Sequence, residues 1–200
     1  MDQGVDEKYE NFCKGSFIYH EGDSVRHVYK AIKGRVKLVK AIGGINREFI
    51  HHFIYPQEFI GLGEFFPRMR TRRMSAIAID KEVVVRKISL FMFEMELRKN
   101  PELVSSMIKQ LIEKREDTWK RFCRRKYYSS KNLVIKALLD MAKERGKVEE
   151  KGIVLQSLTH QDIGGYVGIC RQNVTQVLNL LRDENKIEYN RNEIIIKVKH

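Results

Sequence analysis

The chain has 200 residues, 42% hydrophobic and 32% charged, with 38 Lys+Arg against 26 Asp+Glu and a net charge of +12. That composition lies near the globular average, which excludes an intrinsically disordered chain, and no apolar run approaches the ~18 residues of a membrane span. The acidic, polar start from Met1 to Glu7 is not a secretory signal, so a cytoplasmic protein with no membrane partner is expected, and the positive charge points to nucleic acid.

Residues 1–99 read as a β domain. Short β-branched and aromatic runs recur between turn residues: Phe17–Tyr19, Val28–Ile32, Val36–Val39 before Gly43-Gly44, Phe49–Tyr55, Phe59–Leu62, Ala76–Ile79 and Val83–Ile88. Alternation of apolar and basic residues in the second and third runs suits half-buried antiparallel strands, and many short strands suggest a jelly roll.

Residues 100–128 read as one long helix and a hinge. Asn100 is a plausible N-cap, Pro101 suits the first helical position, and Glu102 complements the dipole. Val104, Ile108, Leu111, Thr118 and Phe122 form one stripe, interrupted by Arg115, and Leu103, Met107, Ile112 and Trp119 form a second. Two apolar faces imply two partners, the β domain and another helix; a coiled coil with a second copy is preferred to a helix packed only on its own domain.

Residues 129–200 read as a second domain. Asn132 to Arg145 is a helix stopped by Gly146, and Gly152 to Leu155 is a strand. A terminal hairpin pairs Lys186–Tyr189 with Ile194–Val198 through Asn190 to Glu193. Between them lies the informative segment, Leu158 to Leu178. Thr159 and Asp162 fit a capping box, and Gly168 breaks the first helix as a tight turn between crossing helices requires. In the second helix Val174, Val177, Leu178 and Leu181 make a buried side, leaving Gln172, Thr175, Gln176 and Asn179 outward. Amides and hydroxyls of this length suit base edges, and Arg171 can reach phosphate or guanine. With the hairpin this is a winged helix-turn-helix. Gly164-Gly165 inside its first helix is read as close helix packing.

The order β-roll, long helix and winged helix-turn-helix resembles the CRP/FNR family of bacterial transcription regulators over about residues 14–198. Gly22-Asp23 with Tyr29, Ile32, Gly34, Val36 and Leu38 is similar to the family's first roll strands, and Leu158 to Leu178 to its helix-turn-helix signature. The implied fold is α+β: a cyclic-nucleotide-binding-like roll, a dimerisation helix and a DNA-binding domain. The implied function is not enzymatic. It is transcription regulation by a homodimer on a palindromic site in double-stranded DNA, under an effector in the roll, with RNA polymerase a further partner if it activates. The competing reading, a ligand-sensing module without DNA binding, leaves the winged domain unexplained.

Carried over by position, Arg171, Gln172 and Thr175 would face DNA; with Gln176 they would read bases, Thr159 and His160 would hold phosphates, and Asn173 completes the expected DNA-binding set. Gln172 stands where many members have Glu, and Gln176 where many have a second Arg. Glu accepts from cytosine whereas Gln pairs with adenine, so half-sites with a glutamine-read A·T pair are implied. Cys170 takes a position often held by Ser or Thr; it is read as a small half-buried residue in preference to a redox switch.

Cyclic-nucleotide-binding members carry a Gly-Glu pair ahead of Arg-[Ser/Thr]-Ala. Aligning on Phe59-Ile60-Gly61 puts Leu62 at the Glu position; aligning on Ser75-Ala76 makes Gly63-Glu64 the pair. In both, Met74 takes the arginine position and Arg73 lies one residue early. Gly63, Glu64, Arg73 and Ser75 are the candidate effector residues, but a cyclic nucleotide is not expected. The arginines at 68, 70, 72 and 73 suit a small anionic effector or plain solvation. No metal and no cofactor is assigned.

Overall fold

The computed structural model describes residues 8–42, 47–190 and 193–197, so the turn expected at Gly43-Gly44, the tip of the terminal hairpin and Val198 lie outside the described residues. The fold divides into two units, Met1–Thr118 and Trp119–His200.

Among the described residues of the first unit, eight strands form two antiparallel four-stranded sheets. They are β1 (Lys8–Cys13), β2 (Phe17–Tyr19), β3 (His27–Lys33), β4 (Val36–Ile42), β5 (Arg47–Ile54), β6 (Phe59–Ile60), β7 (Ser75–Ala78) and β8 (Glu82–Ser89). One sheet runs β1-β8-β3-β6 and the other β2-β7-β4-β5. Tyr29, Ala31, Val83 and Val85 of the first sheet cluster with Tyr19, Val36, Leu38, Ile54, Ala76 and Ala78 of the second. Val28 and Ile88 point the other way, into a second core with Phe59, Leu62, Phe93 and Met107. Successive strand residues face opposite sides, so adjacent buried residues such as Val28 and Tyr29 mean that this sheet is covered on both faces.

The helices of this unit explain that second core. The run expected as strand through Leu62 ends at Ile60; the chain turns at Gly61 into the short helix α1 (Leu62–Phe65). The β domain expected to fill residues 1–99 closes with a helix, α2 (Leu90–Lys99), capped by the Ser89 hydroxyl, which accepts from the Met92 amide at 3.3 Å. Asn100 ends α2 and also starts α3 (Pro101–Tyr127), accepting from the Leu103 amide at 3.0 Å as expected of an N-cap.

Leu103, Met107 and Leu111 of α3 pack against this core. That corrects the expected pairing stripe. Leu111 is taken by the roll, and Thr118 is half-buried with its hydroxyl donating to the Lys114 carbonyl at 3.0 Å. Ile108 and Ile112 remain 49% and 53% exposed. The physical reason is the 3.6-residue period, which drifts from a strict heptad and carries Ile112 to the side where Leu111 was expected. Gln110 ties α3 to the roll: its side-chain oxygen accepts from the Phe59 amide at 2.9 Å and its nitrogen donates to the Phe59 carbonyl at 2.8 Å. Lys114 donates to the Phe53 carbonyl at 2.8 Å and pairs with Glu58 at 2.9 Å.

The second unit holds the end of α3, α4 (Ser130–Arg145), β9 (Lys147–Glu149), β10 (Gly152–Gln156), α5 (His160–Val167), α6 (Arg171–Asp183), β11 (Ile187–Tyr189) and β12 (Glu193–Ile196). Helix α4 starts two residues before the expected Asn132 because the Ser129 hydroxyl caps the Asn132 amide. The antiparallel sheet runs β11-β12-β10-β9. Strand β9 is fully exposed and carries no apolar alternation, so no periodic signal announced it. Leu133, Ala137, Leu138 and Met141 of α4 are buried as expected, together with Val154, Leu155, Ile163, Val174, Leu178 and Ile194. Trp119 and Phe122 stack with ring centroids 5.7 Å apart while 60% and 65% exposed.

Replacing Gln110 with Leu leaves both backbone groups of the buried Phe59 without their partners. The chain should lose about 2 kcal/mol in denaturant unfolding, the cost of unsatisfied buried groups. An unchanged midpoint would show that another partner replaces the amide.

Candidate nucleic-acid interface

Thr159 and Asp162 form the expected capping box. The Thr159 hydroxyl accepts from the Asp162 amide at 3.0 Å, and the Asp162 carboxylate accepts from the Thr159 amide at 3.1 Å and from its hydroxyl at 2.6 Å. Asp162 is 7% exposed, so the box is an internal joint as well as a cap.

At the far end of α5 the Gly164 carbonyl accepts two amides, from Gly168 at 2.8 Å and Ile169 at 3.0 Å. Gly168 has φ 77°, the left-handed region that favours glycine. A Cβ on Gly164 would stand 2.7 Å from the Ile169 carbonyl oxygen, so the backbone of the turn folds back too closely on α5 for a larger residue there. Cys170 then caps α6 by position only, without a side-chain hydrogen bond.

Helix α6 buries Val174, Val177, Leu178 and Leu181 and leaves Arg171, Gln172, Asn173 and Gln176 exposed. Of the side chains expected outward, Gln172 and Gln176 are exposed, whereas Asn179 is half-buried against Tyr189. The other candidates differ. Thr175 is half-buried, with its hydroxyl 2.8 Å from His160 Nδ1 and 3.1 Å from the Arg171 carbonyl. Thr175 and His160 therefore bond each other, joining α6 to the start of α5. Burial lowers the His160 pKa below its ordinary 6.5, and the Arg171 charge lowers it further.

Tyr189 escaped the sequence reading. Its hydroxyl donates to the Asn179 side-chain oxygen at 2.5 Å, and its ring meets the His160 ring at 5.4 Å and 67°. The wing strand thus touches both helices. A tyrosine in a hairpin carries no motif signal, because its partners lie 10 and 29 positions away. A second unanticipated set lies at the end of α3. Arg121, 8% exposed, donates to the Tyr166 carbonyl at 3.0 Å with its guanidinium 4.2 Å from the Tyr166 ring centroid. Arg125 donates to the Val167 carbonyl at 3.4 Å and to the Gly168 carbonyl, and Arg124 pairs with Asp140. By sequence, the charge at this helix end suits both long-range attraction of nucleic acid and hinge contacts.

In the roll, Gly63 is exposed and Glu64 is 3% exposed. The Glu64 carboxylate accepts from the Arg73 amide at 3.2 Å, but the Arg73 side chain is exposed. The guanidinium facing Glu64, at 3.7 Å, belongs to Arg72, which is 3% exposed. Arg72 donates to the His27 carbonyl at 2.5 Å and lies 4.0 Å over the Tyr19 ring. Ser75 accepts from the Glu21 amide at 2.9 Å. So one arginine of the basic loop is interior; the loop is not simply solvated.

Residues 9–100 match the model of the cyclic nucleotide-binding domain, and residues 134–199 match that of the Crp-like helix-turn-helix domain. The chain belongs to the CRP/FNR family of transcription regulators. Among curated relatives, the cAMP-activated global transcriptional regulator CRP of Salmonella typhimurium is 25% identical over 183 residues, covering 90% of this chain and 85% of its own. Among solved structures, the c-di-GMP responsive global regulator CLP of Xanthomonas campestris superposes with TM-score 0.83 at 18% identity, covering 96% of this chain and 95% of its own. A CRP/FNR-family regulator of Thermus thermophilus gives TM-score 0.77 at 23% identity, covering 96% and 94%. As a CRP/FNR member the chain is a DNA-binding transcription regulator and not an enzyme. Among the described residues no helix is long and apolar enough to cross a membrane.

His160 gives a pH signature. With its pKa below 6.5 in the fold, the unfolded chain takes up the proton more readily. The stability it contributes is complete above pH 6.5 and is lost as pH falls below that value. Melting the His160→Gln chain and its parent between about pH 5 and 8 should show a shallower acid decline in the variant; parallel curves would rule this out.

Proposed function

We propose that two copies pair through α3 and place their α6 helices in successive major grooves of a palindromic operator. Half-site centres would lie about 34 Å apart, one turn of DNA. The observation that carries this is the exposure of Arg171, Gln172, Asn173 and Gln176 on a helix that buries Val174, Val177, Leu178 and Leu181. Uncharged amides on such a face match the bidentate pattern of adenine, and Arg171 that of guanine or phosphate. Thr159 and His160 stand at the α5 N-terminus, where the backbone amides favour a phosphate. Thr175 supports them through His160 and is withdrawn from base reading.

The proposed pairing face is Val104, Ile108 and Ile112 in the first unit and Trp119 and Phe122 in the second. The last four are 49–65% exposed, large apolar area for a monomer to leave in water. A cytoplasmic location fits this role.

The roll is proposed to control DNA binding through an effector other than a cyclic nucleotide. CRP of Salmonella typhimurium is described as cAMP-activated. Here Met74 stands at the position of the phosphate-binding arginine, and Glu64 faces Arg72 and the Arg73 amide. The carboxylate is buried and turned toward an interior guanidinium. The exposed arginines 68, 70 and 73 favour a small anion. RNA polymerase would be the further partner of an activator.

Selection of bound duplexes from a random pool should return an inverted repeat with at least one A·T pair in each half that departs from the common family box. Recovery of no preferred sequence, or of the common box, would refute the reading. Adding cAMP or cGMP should leave the unfolding midpoint unchanged; a saturable rise with either would overturn the effector assignment.

A further inference from the structure

We infer that Arg121 and Arg125 are positioning residues for DNA reading. They cap the C-terminus of α5 and thereby fix the turn from which α6 departs. This rests on α6 being the reading helix. Helix α5 has only eight residues, two of them glycine in its interior. Glycine in a helix costs about 1 kcal/mol against Ala, so α5 is weak by itself. A helix also leaves its last four carbonyls without an internal partner. In α5 the Gly164 carbonyl is satisfied by the turn amides, while Tyr166 and Val167, and Gly168 after them, receive guanidinium donors from α3. Positive charge at a helix C-terminus is stabilising in its own right.

The geometry gives each arginine a separate task. Arg121 is buried and stacked on Tyr166, so it holds the body of the last turn. Arg125 is exposed and reaches the residue that turns the chain: an added Cβ on Gly168 would stand 3.3 Å from its Nη1. Arg171 begins α6 three residues beyond Gly168. A loosened turn tilts the whole reading face and weakens base contacts, which demand close geometry, more than phosphate contacts, which do not. Arg124, bonded to Asp140, ties the end of α3 to α4.

The test uses the full chain and the Arg125→Gln and Arg125→Lys variants. Arg125 is exposed, so neither substitution empties the core. Without DNA, amide exchange at Gly168 and Ile169 should quicken in the Gln variant by about tenfold, the loss expected for a charge-assisted hydrogen bond, while α4 amides stay unchanged. With DNA, the Gln variant should bind the selected operator about tenfold more weakly and random duplex less than about twofold more weakly, at an unchanged salt slope. Lys keeps a cationic donor near the carbonyls and should recover most of both effects. Equal loss on both duplexes with the salt slope lower by about one would make Arg125 a phosphate contact and overturn the inference. So would unchanged exchange at the turn. If the parent chain binds no duplex, it is α6 as reading helix that fails, and exchange still decides the clamp.

Discussion

Two amides converge on one carbonyl where α5 meets α6. The Gly164 oxygen holds Gly168 and Ile169 at 2.8 and 3.0 Å, and the absence of a Cβ at Gly164 lets the turn backbone fold that close to α5. The direction of α6, and so everything it presents, depends on this approach. Gly164 and Gly165 weaken α5, and an eight-residue helix of that kind needs help at both ends. It receives the Thr159–Asp162 box at its start and the arginine side chains of α3 at its finish. The wing adds a third constraint through Tyr189, which touches Asn179 and His160.

The charge distribution takes on a different meaning once the arginines are placed. Residues 109–126 carry 8 basic and 3 acidic side chains, net +5, a density that by sequence alone pointed to attraction of nucleic acid. Yet Arg121, Arg124 and Arg125 are engaged with carbonyls and a carboxylate of their own unit, leaving Lys120 and Lys126 exposed. On the proposed reading, affinity at long range and accuracy at short range would be served by different side chains. The roll shows a parallel case: Arg72 lies inside against Glu64 and Tyr19, while arginines 68, 70 and 73 stay outside.

The helix-turn-helix was legible because its determinants are local. A Thr and an Asp three residues apart, a glycine at the turn and a 3.6-residue apolar period each act within one helix or its turn. Helix α2 was not, because Phe91, Met92 and Phe93 resemble strand residues and only the Ser89 cap and the spacing of Leu90, Phe93 and Leu97 betray a helix. The choice between Leu111 and Ile112 turned on which partner α3 meets first, a tertiary fact. Burial of Arg72 and the Tyr189 contacts likewise depend on residues far away in sequence.

If α6 reads bases through Gln172, changing that side chain alone must change the sequence bound. Selection from a random duplex pool with the Gln172→Glu chain, beside the parent, tests this most directly. The predicted result is one altered base pair in each half-site, with the adenine read by Gln172 replaced by a cytosine in the variant's operator and all other positions retained. Recovery of the same operator by both chains would contradict base reading by Gln172.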